Sequence, residues 1–196
     1  MSVDIEDIDA NAYAGRVFAD AIRAFGVRHV VVSPGSRSTP LTMAVARQPD
    51  LCKHVVLDER SAAFCALGIA KREGMPVVLI CTSGTAVANY YPAIVEAHHG
   101  QVPLLVVTAD RPPELRDCGA GQTIDQVHIY GRSVRHFHEL GVPEPRKAYG
   151  CYLRDAIQHA LRASVGPSPG PVHLNFPFRE PFPSHSGCYE GDALDG

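Results

Sequence analysis

Four short strings carry the residues best suited to chemistry: Ser33–Ser38, Asp58–Arg60, Thr82–Thr85 and Thr108–Arg111. Among their residues are an acid after an apolar run, Glu59, the arginines Arg37 and Arg111, the hydroxyl of Ser36, and those of Thr82, Ser83 and Thr85 around Gly84. A guanidinium can grip a carboxylate bidentately, which the compact ammonium of lysine cannot, so the set suits an anionic organic ligand if the strings meet in space. Glu59 follows Val55, Val56, Leu57 and Asp58 and precedes an Ala-rich stretch, which reads as a strand delivering an acid to a helix start. Two readings are open there. The carboxyl points into a crevice at the end of a parallel strand, or Asp58 and Glu59 only complement the dipole of the next helix.

The elements between these strings decide whether they meet. Ala14, Val17, Phe18, Ala21, Ile22 and Phe25 form one helical stripe ended by Gly26, and His29 to Val32 reads as a strand. Ser38 is a candidate N-cap for a helix with Pro40 in its first turn, running to about Arg47. A strand over His54 to Leu57 is followed by a helix with Ala63, Phe64 and Leu67 on its buried face, ended by Gly74. Val77 to Cys81 is apolar without alternation, as in a strand covered on both faces. The next helix runs to His98 and buries Tyr90, Ala93, Ile94 and Ala97, before a strand over Leu104 to Val107 and a rigid loop from Thr108 to Pro113. Glu114 to Tyr130 is irregular, with a short helix expected at Asp125. Val134 to Glu139 reads as a strand, Tyr149 to Ser164 as a helix and Val172 to Phe176 as the last strand. This alternation predicts an α/β fold, a parallel sheet wound by helices on both faces, with all four strings along one sheet edge.

Composition narrows the function classes. The chain has 196 residues, 45% of them hydrophobic, and 18 Lys and Arg against 21 Asp and Glu give a net charge of -3, which favours neither nucleic acid nor membrane as partner. Cys52, Cys65, Cys81, Cys118, Cys151 and Cys188 are scattered, and three lie in apolar runs, which suggests a reducing compartment. Met1 to Asp9 is acidic and unlike a leader, and no apolar run reaches membrane-spanning length, so a cytoplasmic location is expected. Ten histidines make no tetrahedral set with a cysteine or carboxylate at recognisable spacing. Neither G-x-S-x-G, G-x-G-x-x-G nor a Walker sequence is present.

The strings Ser33-Pro-Gly-Ser-Arg-Ser-Thr-Pro40, Asp58-Glu-Arg60, Thr82-Ser-Gly-Thr85, Thr108-Ala-Asp-Arg-Pro-Pro-Glu-Leu115 and Cys118-Gly-Ala-Gly-Gln122 closely resemble the N-terminal domain of the 2-succinyl-5-enolpyruvyl-6-hydroxy-3-cyclohexene-1-carboxylate synthases, thiamine-diphosphate enzymes of menaquinone biosynthesis. The resemblance extends from the first helix to about Pro181. It implies a pyrimidine-binding domain in which Glu59 bonds the aminopyrimidine ring nitrogen of thiamine diphosphate and promotes its imino tautomer. Such a carboxyl needs partial burial, because desolvation raises the pKa of a carboxylic acid. It further implies 2-oxoglutarate and isochorismate as substrates, with Ser36, Arg37, Arg111 and Gln122 on the acceptor and Gln122 also catalytic. Thr82, Ser83, Gly84, Thr85 and Asn89 are the candidates for lining the cofactor pocket. For each there is a plainer reading: Arg37 caps a helix, Arg111 pairs with Asp110 or Glu114, Gln122 bonds local backbone, a hydroxyl of the turn caps the following helix, and Asn89 decorates a polar helix face.

The chain also departs from the family pattern. The family's metal and diphosphate motif is absent, since Gly191-Asp192-Ala193 fails to match, so Mg²⁺ or Mn²⁺ is expected to bind in a C-terminal domain outside this chain. Residues 1–181 are read as the pyrimidine-binding domain and 182–196 as an exit linker toward a central domain. A fragment without synthase activity of its own is the corresponding expectation, from a native homodimer or tetramer. The alternatives are a pyrimidine-binding subunit of another thiamine-diphosphate 2-oxo acid decarboxylase, which would need Glu59 but not Arg37 and Arg111 together, and a non-catalytic binding or assembly module.

Overall fold

The computed structural model describes residues 9–180. The helix α1 (Ala10–Phe25) is capped by Asp9, whose carboxylate accepts from the Asn11 and Ala12 N–H groups, and ends at Gly26 in the left-handed region (φ 96°). Then follow β1 (His29–Val32), α2 (Thr39–Ala46), β2 (Cys52–Val55), α3 (Glu59–Glu73), β3 (Val77–Cys81), α4 (Thr85–Asn89), α5 (Tyr91–His99), β4 (Leu104–Asp110), β5 (Phe137–Glu139), α6 (Lys147–Val165) and β6 (Pro171–Pro177). The six strands form one all-parallel sheet in the order β2-β1-β3-β4-β6-β5.

Both sheet faces are covered. Val30, Val32, Val78, Ile80, Leu105 and Val107 pack with α1, α2 and α6, while Val31, Val77, Leu79, Cys81, Leu104 and Val106 pack with α3, α4 and α5. Alternate residues of each central strand therefore meet different helices, and the positions named are apolar on both faces. The strand order reverses direction between β1 and β3, and a parallel sheet opens its ligand crevice at such a point, beyond the carboxyl ends of the strands.

Several elements depart from the sequence-based expectation. The strand expected over His54 to Leu57 is β2, shifted to Cys52–Val55 by pairing with β1 in the register His29↔Cys52. It is an edge strand, so Val55 is 68% and Leu57 79% exposed. The buried face of α3 is Ala62, Ala63, Ala66 and Ala70, with Phe64 42% exposed, because methyl side chains let the helix lie close against the sheet. The helix expected to His98 is two, α4 and α5, meeting at Tyr90 with Pro92 in the first turn of α5. Thr108 to Asp110 are not loop but the buried end of β4, and Asp125 lies in an irregular stretch with no helix, a short 3-10 turn following at Gly131–Ser133. Ser38 sits at the N-cap of α2, yet its hydroxyl donates to Gly35 O (3.0 Å) and bonds no helix N–H. Of the five described cysteines, all free thiols, only Cys81 is buried. Cys188 and the expected linker 182–196 lie outside the described residues.

Candidate active site

The four strings do lie along one sheet edge, because every strand that feeds them is parallel to its neighbours. Glu59 is the first residue of α3, half-buried, behind the N-cap Asp58. Asp58 accepts from Ser61 N–H (2.7 Å), which holds its carboxyl below the usual range. The plainer reading of Asp58 is thus correct, and it is compatible with the other, since the cap fixes where Glu59 starts the helix. Ser33 ties this corner to the sheet. Its N–H bonds Ile80 O (2.9 Å) and its hydroxyl donates to Val56 O (3.0 Å). Burial pushes the Cys81 thiol at the end of β3 up, with the Glu59 charge a smaller contribution in the same direction.

At that end the turn Thr82–Thr85 meets its neighbours closely. A Cβ on Gly35 would lie 2.4 Å from Thr82 Cβ, and one on Gly84 would lie 2.9 Å from Gln122 Cγ. Gly84 also has φ +82° and ψ −141°, where only glycine is at ease. Ser83 is fully buried, and the Arg111 guanidinium donates to its hydroxyl. Arg111 therefore pairs through its side chain with neither Asp110 nor Glu114. Asp110 Oδ1 accepts only the Arg111 backbone N–H (2.7 Å), and Glu114 pairs with Arg179.

Arg37 is buried, 5% exposed. It donates to Phe178 O (2.6 Å) and to the Glu180 carboxylate (2.9 Å). Burial first, and then the charge of Arg111, push its pKa down, with Glu180 opposing. The turns that carry the two arginines both meet the Thr82–Thr85 turn, Gly35 against Thr82 and Arg111 through Ser83, and Arg37 already grips a carboxylate. Gln122 stands at φ +56° and its amide donates to Ser83 O (2.9 Å), a partner distant in sequence rather than the local one considered above.

Ser36, Thr85 and Asn89 are exposed. The Asn89 amide donates one turn back to Thr85 O (3.0 Å), the bond of an ordinary polar helix surface, so the structure does not draw it into the cluster. Conversely, Gln126 was missed. It is 1% exposed and bonds Gly84 N–H (3.0 Å), Ala109 O (3.2 Å) and Asn175 Oδ1 (2.9 Å). Behind it lies a buried polar network on β4 and β6. Asn175 donates to Asp110 (2.8 Å) and Glu139 (2.7 Å), and Arg116 pairs with both acids. The Thr108 hydroxyl donates to Asn175 Oδ1 (2.7 Å), so His173 Nε2–H must donate to Thr108 (2.7 Å), which fixes the His173 tautomer. Burial pushes Asp110 up, against the hydrogen bond from Asn175 and the charge of Arg116. The one sequence signal for this network was polar residues directly following the apolar run of β4.

These groups suit a planar nitrogen heterocycle: one half-buried carboxyl for a ring nitrogen, and glycines that let backbone approach closely. Among the described residues, no group of three or more His, Cys, Asp or Glu side chains is placed to hold a metal ion. No helix among them is long and apolar enough to cross a membrane.

A parallel α/β domain with this edge is the architecture of a cofactor-binding module, and residues 13–129 match the family described as thiamine pyrophosphate enzyme, N-terminal TPP binding domain. The chain belongs to that family. It is 52% identical over 188 residues to 2-succinyl-5-enolpyruvyl-6-hydroxy-3-cyclohexene-1-carboxylate synthase of Thermosynechococcus vestitus, covering 95% of this chain and 33% of the relative. It is 54% identical over 164 residues to the synthase of the same name from Oceanobacillus iheyensis, covering 84% of this chain and 28% of that protein. The chain thus spans about a third of the length of the curated relatives it matches.

Proposed function

We propose that this chain is the pyrimidine-binding domain of a thiamine-diphosphate-dependent synthase of menaquinone biosynthesis, a transferase that decarboxylates 2-oxoglutarate and joins the four-carbon product to isochorismate. The observation that carries the reading is that the turns bearing half-buried Glu59, Arg37, Arg111 and the Ser83–Gly84 peptide all follow parallel strands at one sheet edge, with Gly35 packed against Thr82 and Arg111 bonded to Ser83.

Thiamine diphosphate, when bound, supplies the electron sink for decarboxylating a 2-oxo acid. Glu59 holds the ring nitrogen of the pyrimidine and moves a proton at its carboxyl oxygen. Thr82, Ser83, Gly84 and Thr85 line the ring, Gly84 by backbone, with Asn89 at the outer margin. Arg37 and Arg111 orient the carboxylates of isochorismate, and the Arg37–Glu180 pair supports this, since it presents the guanidinium to a carboxylate from outside its own loop. Ser36 and Gln122 complete the acceptor side, Gln122 by exchanging Ser83 O for the substrate. Mg²⁺ or Mn²⁺ and the diphosphate would be held by residues other than those described, and the working protein is a cytoplasmic homodimer or tetramer.

The test is turnover of the intact synthase with thiamine diphosphate, Mg²⁺, 2-oxoglutarate and isochorismate. The reading expects product from the intact protein, none from this chain alone, and loss of isochorismate binding in an R37A/R111A variant. Undiminished isochorismate binding by that variant would contradict the role of the two arginines, and 2-oxo acid decarboxylation without isochorismate binding by the unsubstituted protein would instead favour a subunit of another 2-oxo acid decarboxylase.

A further inference from the structure

The Ser83 carbonyl and the Gly84 N–H belong to one peptide group, and two glutamines from one irregular segment hold it from opposite ends. Gln122 donates to the carbonyl (2.9 Å) and Gln126 accepts from the N–H (3.0 Å). The two grips differ in kind. Gln122 is exposed and makes one bond to the turn. Gln126 is buried, and its NH₂ is fixed by Ala109 O of β4 (3.2 Å) and Asn175 Oδ1 of β6 (2.9 Å). Two acceptors on one side and an N–H on the other leave a single orientation for its amide. The peptide it holds is the one that most needs holding, because Gly84 has the conformational freedom to rotate its plane and sits at φ +82°.

We infer that Gln126 is a positioning residue: it fixes the Ser83–Gly84 peptide, and so the Ser83 hydroxyl that Arg111 bonds, in the orientation the cofactor ring meets. This rests on the pyrimidine-binding reading above. It also explains how Gln122 can release Ser83 O toward a substrate without the turn losing its shape.

The test uses the intact synthase with Gln126→Met, similar in length but without hydrogen bonds, Gln126→Glu, and Tyr130→Phe as a structural control. Tyr130 lies in the same segment, is fully buried and donates only to Val87 O (2.8 Å). Three quantities are read: the thiamine diphosphate concentration giving half-maximal activity, kcat at saturation, and amide hydrogen exchange at Gly84. Q126M is expected to raise the half-saturating concentration by roughly tenfold or more, to leave kcat within about threefold, and to speed Gly84 exchange, as expected when one buried hydrogen-bonding hub is lost. Y130F is expected to lower Tm and leave half-saturation within about twofold. Should Q126M fail to fold, Q126E decides: relative to wild type its half-saturation should improve as pH falls, because only the protonated acid can donate where the amide did. Half-saturation that is unmoved in Q126M, flat with pH in Q126E or equally raised by Y130F overturns the inference. Failure of the cofactor reading itself looks different, since the unsubstituted enzyme would then show no dependence on thiamine diphosphate.

Discussion

Two turns deliver the site, and they are held in opposite ways. The turn after β3 lies mid-sheet, with Ser83 buried, Gly84 clamped by Gln122 and Gln126, and a polar network beneath it that spans β4, β6 and β5. The turn after β2 lies at the sheet margin, where Leu57 faces solvent and Glu59 is placed by a helix cap and by Ser33 bonding Val56 O. One half of the site is thus preorganised by buried hydrogen bonds, and the other by local helix geometry. Substitutions should cost much on the first side and little on the second, unless they touch Glu59 itself.

The largest effect on stability is expected for Gly84→Ala. It places a side chain at φ +82° and 2.9 Å from Gln122 Cγ. A cost of about 2–4 kcal/mol follows, or a fall in Tm of roughly 5–10 °C for a chain of this size, measurable by thermal denaturation. Next comes acid sensitivity of the β4–β6 side. Burial pushes His173 down from its ordinary value of 6.5 to about 3, so the unfolded chain takes up a proton where the folded chain does not. The stability this neutral histidine contributes is complete above pH 6.5 and is lost as pH falls toward 3. Tm should therefore decline over that window, and His173→Gln, which keeps a donor for Thr108, should flatten the upper part of the decline. On the β2 side, Asp58→Ala removes the bond to Ser61 N–H. A small drop in Tm and a larger loss of turnover are expected, because the cap sets where Glu59 begins the helix. Smallest is Leu57→Ser, at an exposed site, whose effect on chain stability should stay within about 0.5 kcal/mol.

The same contrast governs what the sequence discloses. The bounds of β1 and β3 follow from uninterrupted apolar runs, and Gly26 and Gly74 end α1 and α3 as their positions require. The end of β4 is illegible, since Thr108 is satisfied by His173 and Asn175, and Asp110 in part by Asn175, which arrive from a strand much later in the chain. Gln126 was hidden for the same reason: its partners are a turn, a strand carbonyl and an amide from three separate segments. In α3 the error was one of weight, because Phe64 outranks alanine in hydrophobicity, yet a helix lying close to a sheet selects the small face. Glu59, Arg37, Arg111 and the Thr82–Thr85 turn were legible because each directly follows a strand in a parallel sheet, and topology alone sends such residues to one edge.

In the proposed function, cofactor activation depends on the Glu59 carboxyl. The most direct test is turnover of the intact synthase carrying Glu59→Gln, a change that preserves shape and removes the ionisable proton site. Turnover should fall by roughly 100-fold or more with Tm nearly unchanged. A variant that retains activity within a few-fold of wild type would contradict the assignment.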